Sequence, residues 1–306
     1  MHIVSLGEII WDVVGEKEYL GGAPLNFSAA SMKLGSTVAL LSAVGMDQRG
    51  ARALQLMEKL GLKTTFVQIL ENLPTGAAEV SSDSDGNTLF TIERPAAFDC
   101  LAIDDSLLVS LGQPEPDWLY FGTLAQTNGQ LEKLLFDLLK RFPHARRFYD
   151  VNLREGHWAP ALVERLSGVA DILKLNRAEA EVLHSLMIGV DTFSLEEFCR
   201  KWASMHNIAT ICVTLGSEGC AIFSNDVLRT YPGFNVRVVD TVGAGDAFAA
   251  ALLHGVHQGW PMYLSASLAN ALGAVVAGRS GATPEWSMKE CLELIKSQKA
   301  SRPIAG

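Results

Sequence analysis

The segment Asp240-Thr241-Val242-Gly243-Ala244-Gly245-Asp246-Ala247-Phe248 runs directly into the apolar stretch Ala249-Ala250-Ala251-Leu252-Leu253. It reads as a small-residue turn breaking into a helix, with a carboxylate at the first helical positions. Gly243, Ala244 and Gly245 carry almost no side chain, so an incoming group can approach their backbone N–H donors closely. The first N–H groups of a helix are unpaired and carry partial positive charge, which suits a phosphate or a developing anion. A structural carboxylate at Asp246 would compete with such a ligand, whereas a base aimed at a substrate hydroxyl belongs there. The competing reading is a glycine-rich turn with Asp246 as a helix cap. The turn alone does not separate the two.

A second glycine-rich segment tips the balance. Gly21-Gly22-Ala23-Pro24-Leu25-Asn26 again opens small residues onto a helix, and the Asn26 amide can both donate to and accept from sugar hydroxyls. Upstream, Gly7-Glu8-Ile9-Ile10-Trp11-Asp12 is expected to end a first strand with Asp12 at its C-terminal tip. That edge is where open parallel α/β sheets bind ligands.

Together these segments resemble the two signatures of the ribokinase-like, or PfkB, carbohydrate kinases, and they are closest in motif to the fructokinases. The resemblance covers essentially the whole chain. It implies a ribokinase-like three-layer α/β/α fold with a mostly parallel central sheet and a small β-sheet lid. It also implies one kinase domain over residues 1–306, with lid insertions at about 12–20 and 74–98. On this reading Asp246 deprotonates a primary hydroxyl of a small sugar, ATP is the donor and Mg²⁺ neutralises its phosphates. The N–H groups of Gly243, Ala244 and Gly245 hold the developing charge. Asp12, Gly22, Asn26 and Asn152 orient the sugar, and Phe90 of the lid closes over it.

Other family landmarks occur in order. Asp150-Val151-Asn152-Leu153-Arg154, followed by Trp158, resembles a segment of fructokinases and 2-keto-3-deoxygluconate kinases. Asn152 and Arg154 would bind substrate hydroxyls and the transferring phosphate, and the planar fork of Arg suits that task. An Asn-containing turn with a surface Arg is the plainer alternative. Asn176-Arg177-Ala178-Glu179, which follows Lys174, matches a motif that orders Mg²⁺, its waters and phosphate in relatives. The resemblance implies Lys174 and Asn176 as nucleotide-binding residues and Glu179 as a Mg²⁺ ligand, through water. Glu179 fits a capping-box acid equally well, and the two roles are compatible. Val213-Thr214-Leu215-Gly216-Ser217-Glu218-Gly219-Cys220 resembles the nucleotide-side turn, with Thr214 and Gly216 on phosphate and Gly219 making the turn tight. A plain hairpin loop would look the same. Asn270 lies on a helix that lines the adenine pocket in relatives, or it is buried against a neighbouring helix.

Alignment by motif also suggests a K⁺ site built by Asp240, Val242, Arg279 and Gly281. Val242 replaces a family-typical Thr, which leaves backbone ligation intact and puts side-chain support in doubt.

Composition agrees with an enzyme of small molecules. A chain of 306 residues with 48% hydrophobic residues can bury one large α/β core. A net charge of −9 with no basic run argues against nucleic acid as a partner. No window approaches the about 18 apolar residues of a membrane span. The five scattered cysteines suggest buried thiols in a reducing cytoplasm. His254 and His257 lie three apart with no third ligand in view, so zinc is not expected.

Strands are predicted at Ile3–Gly7, Val38–Ala43, Trp118–Phe121, Arg147–Asp150, Ile172–Leu175, Ile211–Thr214 and Ala221–Phe223. Helices are predicted at Leu25–Leu34, Arg49–Leu60, Gly129–Phe142, Ala178–Leu186, Leu195–His206, Asp246–Gln258 and Tyr263–Gly278. This alternation is that of a parallel sheet. Two β-rich pieces, Asp12–Tyr19 and Thr75–Glu93, match the lid, and the second carries a hairpin signal at Asp83–Asn87. Their edge strands are expected to pair in a homodimer.

Fructose is the expected substrate on the combined motifs, although Arg94-Pro95-Ala96-Ala97-Phe98-Asp99 departs from that subgroup. The rivals are 2-keto-3-deoxygluconate, another hexose, ribose or a nucleoside. A catalytically weak sugar sensor is the alternative of another class. A nicotinamide oxidoreductase fits poorly, because no Gly-x-Gly-x-x-Gly follows the first strand.

Overall fold

The computed structural model describes residues 1–82, 88–187 and 192–300. The chain opens with β1 (His2–Leu6), β2 (Ile10–Val14), β3 (Lys17–Gly21), α1 (Ala23–Lys33), β4 (Thr37–Gly45) and α2 (Gln48–Lys59). There follow β5 (Val67–Leu70), β6 (Gly76–Ser82), β7 (Thr88–Ile92), α3 (Asp105–Leu111), β8 (Trp118–Gly122), α4 (Thr123–Gln126) and α5 (Gly129–Arg141). The middle contains β9 (Arg146–Asp150), α6 (Pro160–Ser167), β10 (Ile172–Asn176), α7 (Arg177–Met187) and α8 (Leu195–His206). The last part comprises β11 (Thr210–Thr214), β12 (Gly219–Ser224), β13 (Val227–Pro232), α9 (Ala244–His257), α10 (Met262–Ala277) and α11 (Met288–Ala300).

Nine strands form the central sheet in the order β13-β12-β11-β10-β9-β8-β1-β4-β5. All neighbours from β11 to β5 are parallel, and β12 and β13 close one edge antiparallel. The parallel strands are largely buried because helices cover both faces, and the few charged side chains within them, such as Asp150 and Lys174, pair with one another. In β8 every residue is buried, yet period-two alternation splits them. Leu119 and Phe121 join the core under α5 and α6, while Trp118 and Tyr120 join the core under α1, α9 and α10. The result is the expected three-layer α/β/α architecture.

The chain order reverses around β1, which has β4 on one side and β8 on the other. A crevice outside the carboxyl ends of the strands is expected at such a switch point.

A separate four-stranded sheet, β3-β2-β6-β7, stands beside this edge. It corrects one expectation. Asp12 does not end the first strand: β1 stops at Leu6, and Asp12 sits inside β2, opposite Tyr19 of β3 and Ala78 of β6. The apolar run Ile9-Ile10-Trp11 disguised the change of sheet. The small sheet is rooted on α2, where Glu18 pairs with Arg49 at 2.8 Å and Arg52 at 2.6 Å. Trp11 Nε1–H donates to the Arg49 carbonyl at 3.1 Å. The hairpin signal at Asp83–Asn87 lies outside the described residues.

Among the described residues no helix is long and apolar enough to cross a membrane. His257 Nδ1 accepts from Trp118 Nε1–H at 3.3 Å, and His254 packs edge-on against Trp260.

Candidate active site

Two glycines set the entry of the helices that meet at the crevice. Gly243 caps α9 with φ 76°, and a Cβ there would lie 2.1 Å from the Ala282 carbonyl oxygen. Gly22 caps α1 with φ 107°, and its Cβ would lie 2.5 Å from the Glu8 carbonyl oxygen. Neither turn admits a side chain. Pro24, in the first turn of α1, costs no hydrogen bond there.

These turns aim the first turns of α1 and α9 at each other. Asn26 Nδ2 donates to Asp246 Oδ2 at 2.8 Å. That bond leaves Asp246 Oδ1 for another partner. Behind Asp246 lies a charged layer that period two makes inevitable. Tyr120, Asp150 and Lys174 occupy the α9-facing positions of adjacent strands β8, β9 and β10. Lys174 Nζ donates to both Asp150 oxygens at 2.9 Å, and the Tyr120 hydroxyl donates to Asp150 Oδ2 at 3.1 Å. A Cβ on Gly245 would lie 3.2 Å from Lys174 Nζ, so the ammonium abuts the first turn of α9.

The electrostatics follow from this packing. Burial pushes the Asp246 carboxyl up to about 6 and the Asp150 charge adds to the rise, while Lys174, the Asn26 hydrogen bond and Arg154 oppose it. Burial would lower Lys174, but the charges of Asp150, Asp246 and Glu179 outweigh it and raise its pKa. Burial lifts Asp12 to about 6 against the pull of Arg154. A carboxylate poised near 6 is suited to general-base work at neutral pH.

Two cavities meet at this point. The smaller, about 370 Å³, is lined by Asp12, Gly22, Asn26, Asn152, Arg154 and Asp246. Lys174, Asn176, Glu179, Val242 and Gly243 complete its floor and rim. The larger, about 570 Å³, is lined by Gly216, Gly219, Ala244 and Asn270 together with apolar groups such as Phe248 and Ala274. Thr214, Thr241 and Gly245 border both. The first turn of α9 is therefore the partition between a polar chamber and a larger one.

The placement differs in detail from the sequence-based grouping. Lys174 and Asn176, grouped with the nucleotide residues, line the smaller cavity and not the larger. Asn26, grouped as a sugar ligand, directs its amide nitrogen at Asp246. Glu179 and Asn176 form a reciprocal cap on α7: Asn176 N–H donates to Glu179 Oε2 at 2.7 Å, and Glu179 N–H to Asn176 Oδ1 at 2.9 Å. Glu179 Oε1 accepts from Leu153 N–H at 2.8 Å, which ties α7 to the Asn152 turn. Asn152 has φ 41°, a conformation that Asn tolerates better than most residues.

Gly219, with φ 105°, lies so close to β13 that a Cβ would sit 2.2 Å from the Tyr231 carbonyl oxygen. Asn270 Nδ2 donates to the carbonyls of Tyr231 and Pro232 at 3.1 Å, anchoring α10 to the end of β13. Asp240, Arg279 and Gly281 line neither cavity. Asp240 accepts from Val242 N–H and Gly281 N–H, each at 3.0 Å, and Arg279 turns to Glu290 and the Glu285 carbonyl. Phe90 is on β7 opposite Val80, and its side chain lies outside the described residues.

Four contributors escaped the sequence reading: Tyr120, Asp150, Thr241 and Glu8. Asp150 and Lys174 carried a usable signal, namely opposite charges near the ends of two successive strands that pair side by side. Tyr120 resembles any core aromatic, and Thr241 was hidden inside the turn motif.

A model of the pfkB family of carbohydrate kinases matches residues 3–288. The chain belongs to that family. It is a sugar phosphotransferase. Fructokinase-1 of Zea mays is 30% identical, with 96% of this chain and 97% of the relative covered. Aminoimidazole riboside kinase of Salmonella typhimurium is 28% identical over 90% of this chain and 89% of the relative. The crystal structure of a Xylella fastidiosa fructokinase with bound ATP shares the fold, with a TM-score of 0.84 and 21% identity, covering 97% of this chain and 99% of that one.

Proposed function

We propose that the protein transfers the γ-phosphoryl group of ATP to a primary hydroxyl of a neutral sugar, with fructose the preferred acceptor. The observation that carries this reading is Asp246 at the partition, a buried carboxylate in the first turn of α9 between two cavities of different character. The polar chamber suits a hydroxyl-rich ligand, with Asp12, Asn152 and Arg154 as its hydrogen-bonding walls. The larger cavity, with Gly216, Asn270 and its apolar side, suits the nucleotide.

In this scheme Asp246 Oδ1 accepts the proton of the hydroxyl as its oxygen forms a bond to the γ-phosphorus. The bond from phosphorus to the bridging oxygen breaks, and ADP leaves with that electron pair. Phosphoryl transfer is accelerated mainly by positioning and by charges placed in advance. The N–H groups of Gly243, Ala244 and Gly245, at the positive end of α9, supply that charge. Lys174 reinforces it from behind Gly245, while Asp150 and Tyr120 keep the ammonium in place. Closure of the small sheet would exclude water, which otherwise competes with the sugar for the phosphoryl group.

Mg²⁺ bound with ATP would neutralise phosphate charge. The residues fit such an ion, which keeps most of its waters and needs few protein ligands. Glu179 faces the chamber with its carboxylate oriented by two N–H donors. For K⁺, Asp240 is oriented in the same way by two N–H donors, and the carbonyls of Val242, Arg279 and Gly281 would complete the set. The exposed Val14 and Tyr19 on the small sheet support a homodimer through that surface.

The experiment is a coupled assay against a panel of sugars, with products identified by mass spectrometry. Fructose should show a higher specificity constant than ribose, 2-keto-3-deoxygluconate or adenosine. A rival with a clearly higher value would overturn the fructose assignment. ATP consumption with no phosphorylated sugar would overturn the kinase scheme.

A further inference from the structure

We infer that Glu8 is a positioning residue for the catalytic base, acting through the first turn of α1. The inference rests on the kinase reading of Asp246. Glu8 lies in the link between β1 and β2, is only 4% exposed, and has no part in either glycine-rich turn.

Its carboxylate does what the cap of α1 cannot. Gly22, at the N-cap, has no side chain to offer, so the leading N–H groups of the helix need an outside acceptor. Glu8 Oε1 accepts from Ala23 N–H at 3.3 Å, and a negative charge at that helix end is favourable. The Glu8 backbone grips the same turn, since only a missing Cβ lets Gly22 approach its carbonyl oxygen. Asn26 N–H donates to the Gly22 carbonyl at 2.9 Å and closes the turn. One turn along, the Asn26 amide holds Asp246. Asn26 Oδ1 is buried and without a hydrogen-bond partner among the described residues. The orientation of that amide therefore depends on its bond to Asp246 and on where Glu8 sets the start of α1.

Glu8 also lies among the ionisable groups that surround the base. It faces Arg154, which attracts it, and Asp246 and the Tyr120 hydroxyl, which share its side of the site. Burial lifts its own carboxyl to about 7.

The test compares Glu8→Ala with Glu8→Gln in the full-length protein. Gln keeps an oxygen for Ala23 N–H and loses the charge, whereas Ala loses both. Glu8→Ala is expected to lower kcat by about tenfold to a hundredfold, as a displaced catalytic group does, with the KM for ATP nearly unchanged. Amide exchange over residues 23–27 should quicken in Glu8→Ala and not in Glu8→Gln. Glu8→Gln should retain most of kcat with its acid limb unmoved, because Glu8, lifted to about 7, is largely protonated where Asp246 titrates at about 6. Wild-type kcat in Glu8→Ala, or equal losses in the two variants, would overturn the inference. If Glu8→Ala does not fold, Glu8→Gln decides: a loss of kcat of about tenfold or more, or faster exchange at residues 23–27, overturns it. The exchange measurement needs no substrate. A wild-type protein that phosphorylates no sugar would thus sink the kinase reading separately from the Glu8 contact.

Discussion

Asn26 Nδ2 lies 2.8 Å from Asp246 Oδ2, a hydrogen bond between residues 220 positions apart that locks the first turns of α1 and α9 together. The two glycine-rich turns are thus halves of one device: each exposes a helix start, and the side chains one turn in meet.

Asn26→Ala tests the tuning side of this contact. The bond stabilises the charged carboxylate, so its loss should raise the Asp246 pKa above its value of about 6. The proposed base works only when deprotonated, so the acid limb of kcat/KM should move to higher pH. A pH–rate profile with an unmoved limb would show that Asn26 has no such influence.

Lys174→Met tests the charged layer beneath the turn. It strands Asp150, which is fully buried, without its cation. Breaking a buried pair from one side costs about 3–5 kcal/mol, so the melting temperature should drop sharply. Tyr120→Phe removes one 3.1 Å bond to the same carboxylate and should cost only about 1 kcal/mol. Thermal unfolding of the two variants side by side checks the ranking.

Gly243→Ala and Gly245→Ala separate fold from chemistry. In the first variant the new methyl would sit on a left-handed φ and would meet the Ala282 backbone, so instability of about 1–3 kcal/mol or more is expected. At position 245 the methyl would meet only Lys174 Nζ, at 3.2 Å. That variant should fold, with kcat reduced because the ammonium is pushed back from the partition. Equal melting temperatures for the two variants would contradict this division.

Much of the site was legible because its chemistry needs small residues in unbroken runs. The turns at Gly22 and Gly243 announce themselves, and every strand and helix predicted from periodicity is present. What was missed had no such signature. β13 has no buried residue and lies on an open edge, and β5 is four residues long. α6 begins at a proline, which reads as a stop until its place in the first turn is seen. Asp12 belongs to the lid piece Asp12–Tyr19 and not to the tip of the first strand, a distinction hidden because Ile9, Ile10 and Trp11 are buried on either reading. Glu8 carries no motif of its own, and only the three-dimensional contact with Ala23 gives it a task.

The proposed dimer is tested by sedimentation. Val14 and Tyr19, 47% and 39% exposed, lie on neighbouring strands of the small sheet. Wild type should sediment as a dimer at micromolar concentration, and Val14→Glu should shift it toward monomer. A monodisperse wild-type monomer would contradict the proposal.

The most direct measurement is kcat for Asp246→Asn. Asn keeps the size of Asp and can hydrogen-bond a hydroxyl, but it cannot take the proton. General-base assistance is worth roughly 10²–10⁴-fold, so kcat should fall by that order while ATP affinity is retained. Stability has its own sign. The Asp246 pKa is raised from 3.8 to about 6 in the folded protein, so ionisation opposes folding once the pH exceeds both values. Below pH 3.8 that penalty is absent; at pH 7 it is fully present, and the neutral Asn escapes it. The melting temperature at pH 7 should therefore be unchanged or higher. A variant that kept more than about a tenth of wild-type kcat, with the fold intact, would show that Asp246 is a helix cap and not the base.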